Sequence, residues 1–306
     1  MSEPRVVYTG GPGKINWTLE VLGKRPDGYH EVRTILQTAD GDDEVTLVDA
    51  EGLELTVRGQ ARSFKRKPPE KNLAFQAAAL LKERTGHPGG VHIILRKHIP
   101  VGSGMGGGSN DAAQVLGGLR ELWRVQLSDE ELVSLAAELG SDVPFFLFRG
   151  TALASGRGEI IEPLPTPKEH TVMTVWPSLP ALENKTARMY AALRPEHYTD
   201  GSLTVRTAGR IRDSEPLRDE DLFNVFEQVL SEAYPRAASV FQEARELGGA
   251  RPHLCGSGPA MFFLETQEHD LREVSRWVRR RGFRATGGWV SPGWHAWINP
   301  YTEQHA

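Results

Sequence analysis

About a third of the way along, the chain passes from an apolar strand pattern into a helical one through Pro100-Val-Gly-Ser-Gly-Met-Gly-Gly-Gly-Ser-Asn110, a segment with five glycines. Glycine enters left-handed backbone freely but loses more conformational freedom than any other residue when it is fixed. A strand-to-helix connection this rich in glycine makes sense when its backbone N–H groups must converge on a guest, and at a helix N-terminus the natural guest is a phosphate. Pro100, Val101, Gly102, Ser103, Gly104, Met105, Gly106, Gly107, Gly108, Ser109 and Asn110 are therefore read as a phosphate-binding loop.

Two better-known loops fail the same test. Gly102, Gly104 and Gly107 satisfy the dinucleotide pattern G-x-G-x-x-G, which would make the chain an oxidoreductase. That pattern requires the helix to return into a parallel strand with an acidic residue about 20 residues on, whereas Leu127-Ser-Asp-Glu-Glu-Leu132 opens a second helix. A Walker loop ends in Gly-Lys-Ser or Gly-Lys-Thr; here Ser109-Asn110-Asp111 follows the glycines.

Short alternating runs at Val6 to Thr9, Ile15 to Leu22, Val32 to Thr38, Val45 to Val48 and Leu53 to Val57 predict a mostly antiparallel sheet in the first third. A helix over 72–84, a strand over 91–95, and helices over 111–123 and from Ser128 follow, the last opened by the Ser128/Glu131 capping-box spacing. Pro163-Leu-Pro-Thr-Pro-Lys168 breaks periodicity three times and reads as a linker, giving domains at 1–167 and 168–306. Beyond it a strand over 171–176, helices over 185–193, 222–231 and 235–247, then strand, helix and strand predict a second α+β unit.

A chain of 306 residues with 39% hydrophobic and 25% charged residues is long enough for two domains with a cleft between them. No apolar run approaches the roughly 20 residues of a membrane span, and the first residues lack a signal-peptide pattern, so a cytoplasmic protein with no membrane partner is expected. Cys255 is the single cysteine, which excludes an internal disulfide. A net charge of −4 argues against nucleic acid as the main partner, and the basic run in 58–71 reads as a solvated loop. A monomer or weak homodimer is expected.

Phosphoryl transfer needs positioning, cations near the phosphate oxygens, and a group that orients or deprotonates the attacking hydroxyl. On spacing alone Lys14 could be a surface lysine and Asp142 a turn or cap residue. Three segments in order, Pro12-Gly-Lys-Ile-Asn-Trp-Thr-Leu19, the loop Pro100 to Asn110, and Leu254-Cys-Gly-Ser-Gly-Pro-Ala260, resemble the three motifs of the GHMP kinase superfamily. Together they span nearly the whole chain. Lys24-Arg-Pro-Asp-Gly-Tyr-His30 and Gly140-Ser-Asp-Val-Pro-Phe145 are most similar to the branch that acts on a cytidine-diphosphate-linked methylerythritol.

That resemblance implies the two-domain α+β GHMP kinase fold: an N-terminal ribosomal protein S5 domain 2-like domain, a C-terminal ferredoxin-like α/β domain, and the active site in the cleft between them. It implies ATP and Mg²⁺ as cofactors and a small-molecule substrate bearing a cytidine diphosphate group. Carried over by position, Lys14 and Asp142 are the catalytic pair. Tyr29 and Tyr190 enclose the base, His30 reads its edge, and Asn16 and Thr186 hold the substrate. Asn72 and Lys97 flank the adenine, and Ser109 is the protein oxygen nearest the metal. Gly13, Trp17 and Asn110 depart from the residues usual at their positions. A GHMP kinase for homoserine or mevalonate, or a nucleotide-binding regulator without transfer chemistry, are the competing expectations.

Overall fold

A computed structural model describes residues 5–59, 68–167, 170–180, 182–289 and 296–298; most of the basic run in 58–71 lies outside these residues. Two sheets organise the molecule. The first contains β1 (Val6–Lys24), β2 (His30–Ala50), β3 (Leu53–Gly59) and β4 (Gly90–Lys97) in the order β3-β4-β2-β1. Its covering helices are α1 (Leu73–Thr85), α2 (Gly107–Leu122), α3 (Asp129–Leu139) and the short α4 (Phe145–Phe148). β5 (Thr151–Ser155) pairs with β2, and β6 (Ile160–Leu164) pairs with β5.

The second sheet has the order β11-β7-β10-β9, from β7 (Thr171–Trp176), β9 (Pro252–Leu254), β10 (Met261–Leu264) and β11 (Arg284–Trp289). Its helices are α5 (Lys185–Ala191), α6 (Ser202–Arg212), α7 (Phe226–Ala233), α8 (Pro235–Arg245) and α9 (Arg272–Arg281). Between α6 and α7 the two-residue β8 (Phe223–Asn224) crosses back to pair in parallel with β1. Trp297 and Ile298 also return, donating their N–H groups to the Leu147 carbonyl at 3.0 and 3.2 Å.

Where the sequence suggests two strands at each end of the chain's first hairpin, there is one long pair. β1 runs unbroken through Gly10, Gly11 and Gly13, with a register shift between Gly11 and Gly13 that absorbs Pro12. Close approach explains the glycines: a β-carbon at Gly11 would meet the Asn110 amide oxygen at 2.3 Å. β3 and β4 are parallel, so the sheet is mixed. Pro163 and Leu164, expected as linker, close β6, an edge strand where a proline's missing N–H breaks no ladder. The helix expected over 222–231 starts only at Phe226, because Phe223 and Asn224 are held as strand and the Asn224 side chain accepts from the Phe226 N–H.

Three hydrophobic cores follow from these layers. One lies under α1, α2 and α3, and a second under α5, α7, α8 and α9. The third joins the two sheets: Ile15, Trp17 and Ile35 from the first pack with Met105, Trp176 and Phe262. Because β1 contributes Ile15 and Trp17 to that joint, Lys14 and Asn16 of the same strand are fixed where the two sheets meet.

Candidate active site

The glycine-rich segment folds as a tight loop between β4 and α2. Asp43, fully buried, accepts the N–H groups of His98 and Ile99 at 2.6 and 2.9 Å and so holds the exit from β4. Ser103 N–H closes a turn onto the Pro100 carbonyl, and Gly102, Gly104 and Gly106 take φ of +73°, +93° and +71°. Gly106 is the N-cap of α2, and the first helical bond runs from Asn110 N–H to its carbonyl. No side chain caps this helix, so the amides of Gly107, Gly108 and Ser109 present the positive end of the helix to an incoming anion.

Not all loop residues face that opening. The Asn110 side chain is buried, donates to the Gly11 carbonyl at 3.1 Å and accepts from Gln114, tying α2 to β1. Met105 is equally buried; its sulfur accepts from the Trp176 indole at 2.6 Å, while its carbonyl accepts the Lys14 N–H at 2.9 Å. Val101 and Gly108 are on the exposed side, and Ser109 is half-buried.

Lys97 stands at the end of β4. Its ammonium lies beneath the loop, buried between the carboxylates of Asp43 and Asp111 and 3.3 Å from the Gly107 carbonyl. Burial and the neighbouring Asp43 push the Asp111 carboxyl up to about 7, against the pull of Lys97. Asn72 serves as N-cap of α1, accepting from the Ala74 N–H at 2.9 Å, and the following Leu73 stands under Gly108.

On the other side of the loop, Lys14 reaches from β1 toward Asp142 in the turn that enters α4. Its ammonium donates to the Asn16 side-chain oxygen at 2.8 Å and lies 3.9 Å from an Asp142 carboxylate oxygen. Asn16 is oriented in turn by donating to the Thr34 hydroxyl at 2.8 Å. Lys14 is buried, whereas the Asp142 side chain is 40% exposed, so the pair opens outward at the carboxylate.

The third glycine motif covers this pair. Between β9 and β10 the chain doubles back, with Cys255 N–H on the Ala260 carbonyl at 2.9 Å and Ala260 N–H on the Ser103 carbonyl at 3.0 Å. Asn224 donates to the carbonyls of Leu254 and Gly256 at 3.0 and 2.8 Å. A β-carbon at Gly256 would lie 2.7 Å from the Lys14 ammonium.

Beyond Asp142 lies an aromatic group. His30 and Tyr190 stack with centroids 4.9 Å apart and planes inclined by 25°, Tyr198 meets His30 edge-on at 6.2 Å, and Phe226 supports Tyr190 at 4.9 Å. Burial lowers the His30 pKa, with Lys24 acting in the same direction. Burial, and after it the charge of Asp142, raise that of the Tyr190 phenol. Tyr29 is not in the stack: it is 54% exposed and carries the Arg157 guanidinium 4.8 Å from its ring centroid. Thr186 shares a hydrogen bond with the Ser257 hydroxyl at 3.1 Å.

Sequence reasoning missed Asp43, Arg157, Asn224 and Lys185. Lys185 opens α5, is buried, and donates to the Gly258 carbonyl. Burial first and Lys14 second lower its pKa to about 7. Nothing in the local sequence marks it, because its partners come from β1 and the turn after β9.

The comparisons with known proteins agree with this geometry. A family model, GHMP kinases N terminal domain, matches residues 72–150. A crystal structure of homoserine kinase from Cytophaga hutchinsonii superposes with a TM-score of 0.68 over 96% of each chain at 16% identity, which shows the shared fold. The architecture is thus the GHMP kinase fold.

Curated relatives called 4-diphosphocytidyl-2-C-methyl-D-erythritol kinase include one from Geobacillus thermodenitrificans, 39% identical over 89% of this chain and 92% of its own. One from Bacillus subtilis is 38% identical over 88% and 91%. A crystal structure of 4-(cytidine 5'-diphospho)-2C-methyl-D-erythritol kinase superposes with a TM-score of 0.69 at 32% identity over 92% of this chain and 98% of that one. The chain belongs to the 4-diphosphocytidyl-2-C-methyl-D-erythritol kinase family.

Proposed function

We propose that this protein transfers the γ-phosphate of ATP to the 2-hydroxyl of 4-diphosphocytidyl-2-C-methyl-D-erythritol, in the non-mevalonate supply of isoprenoid precursors. The carrying observation is the placement of the Lys14/Asp142 pair between an amide-lined helix N-terminus and an aromatic group headed by His30 and Tyr190. A substrate with a nucleobase at one end and a hydroxyl at the other fits that order. Small alcohols such as homoserine or mevalonate have no base for the aromatic end.

In this reading Asp142 orients the hydroxyl and accepts its proton, and Lys14 stabilises negative charge at the transferring group. Asn16 keeps the Lys14 ammonium on target through their 2.8 Å hydrogen bond. The amides of Gly107, Gly108 and Ser109 hold the phosphates. His30 supplies an edge-directed hydrogen bond that distinguishes cytosine, and Tyr190 and Tyr29 supply the ring faces. Thr186 holds the substrate beside Ser257. Among the described residues no three His, Cys, Asp or Glu side chains cluster as a metal site. A Mg²⁺ would be held through the phosphates with the Ser109 hydroxyl beside it, supplying charge neutralisation. Among the described residues no helix is long and apolar enough to cross a membrane.

Phosphorus NMR of the product tests the reaction. C2 of this alcohol carries a methyl group and no hydrogen, so a phosphomonoester formed there shows no three-bond coupling to a carbinol proton. A coupled doublet or triplet would place the phosphate on another hydroxyl and overturn the assignment.

A further inference from the structure

Lys185 belongs to none of the recognised motifs, yet its buried ammonium lies in the field of Lys14. From the first turn of α5 it crosses to the Gly256–Gly258 turn and donates to the Gly258 carbonyl, and Thr186 beside it holds Ser257. The opposite end of the same turn touches Lys14 at Gly256. Its underside packs on the phosphate loop, where a β-carbon at Gly104 would meet the Cys255 and Gly258 carbonyls at 2.0 and 3.0 Å. One lysine thus hydrogen-bonds one end of this three-residue turn, and another stands against its other end. At its far end α5 carries Tyr190, stacked on His30.

A buried ammonium beside another ammonium carries desolvation and repulsion costs that an uncharged side chain would avoid, so its presence points to a role beyond stability. We propose that Lys185 is a positioning residue for phosphoryl transfer: as an ammonium it clamps the Gly258 carbonyl and, through the turn, fixes Lys14 and the phosphate loop relative to the aromatic pocket carried by α5. This rests on the kinase reading above.

The clamp depends on charge, since a hydrogen bond from an ammonium is roughly twice as strong as one from a neutral amine. The titratable groups acting on Lys185 are Lys14 from β1, which lowers its pKa, and Cys255 at the start of the turn, which opposes that, with Asp142 beyond Lys14. The free protein therefore loses the charged clamp as pH rises through about 7. Arrival of anionic phosphates favours the ammonium, so the same loss in the substrate complex is displaced to higher pH.

The test is kcat and KM for ATP and for the cytidine alcohol from about pH 6 to about pH 9, in wild type, Lys185→Met and Lys185→Arg. The methionine variant is expected to lose about tenfold or more in kcat, with a smaller change in KM for the cytidine alcohol. The arginine variant, charged throughout, is expected to keep most of the low-pH rate and to lose the descending limb of kcat/KM near neutrality. Wild-type kcat in Lys185→Met, or a limb that persists in Lys185→Arg, overturns the proposal. If the methionine variant melts at low temperature, the arginine profile alone decides. If wild type turns over a different alcohol only, the kinase assignment falls, and the same profiles on that alcohol still judge Lys185.

Discussion

The carbonyl oxygen of Cys255 stands where Gly104 would carry a β-carbon: the two would be 2.0 Å apart. The glycine-rich loop proposed to bind phosphate and the C-terminal glycine turn are thus in backbone contact, sealed further by the Ala260 N–H on the Ser103 carbonyl. Gly104 also takes φ of +93°, which an L side chain resists. Substituting Gly104→Ala should therefore separate the two segments, costing about 1–3 kcal/mol in stability and weakening ATP binding. Thermal melting and ATP calorimetry check this; an alanine variant with unchanged melting and affinity would show that the contact is not needed.

Asp142→Asn and Lys14→Met should each lower kcat by about 10²–10⁴-fold while ATP affinity changes little, because in the proposed reaction both side chains act on the transferring group and its acceptor. Asn16→Ala should give a smaller loss in the same direction, since it orients Lys14 through one hydrogen bond. Steady-state kinetics with parallel ATP calorimetry separates the effects, and loss of ATP binding in Asp142→Asn would count against the assigned role.

Removing the ring at 190 strips one member of the stack with His30 and the support from Phe226. Tyr190→Ala should raise KM for the cytidine alcohol by about 5-fold to 100-fold, the range expected for base stacking, without altering ATP affinity. His30→Ala should act likewise and also relax discrimination between cytidine and uridine diphosphate competitors. Competition by the two nucleotides is the measurement, and equal discrimination before and after would remove His30 from base reading.

Lys97→Met should leave Asp43 and Asp111 facing each other without their cation, a loss of about 3–5 kcal/mol. The sign of its pH dependence follows from Asp111, whose carboxyl is already raised by burial and by Asp43. A carboxyl raised in the folded state binds its proton more tightly than in the unfolded chain, so stability falls as pH rises toward the folded value. Without Lys97 the value rises further, and the variant should be least stable relative to wild type above neutrality and recover on acidification. Urea denaturation at two pH values tests this; a pH-independent difference would contradict the coupled triad.

Much of the site is legible in the sequence because it is built from local motifs. The glycines read as a phosphate loop do form a tight turn, with positive φ at Gly102, Gly104 and Gly106, and the Ser128 capping box appears as expected. What the sequence hid depends on long-range partners. Lys97 looks like any lysine at a strand end until Asp43, 54 positions away, is brought against it. Helix α6 escaped notice because its buried face includes Thr204 and Thr207, which hydrogen-bond to the Thr18 hydroxyl and the Asp221 carbonyl where apolar side chains would usually mark the pattern. Lys185 was missed for the same reason, since its meaning lies in Gly258.

The central claim is that the site joins a phosphate loop to a base-reading pocket across Lys14 and Asp142. ADP release with Mg-ATP, measured in parallel on 4-diphosphocytidyl-2-C-methyl-D-erythritol, methylerythritol, homoserine and mevalonate, tests it most directly. Turnover confined to the cytidine compound is the predicted result; comparable turnover on an alcohol without a nucleobase would contradict it.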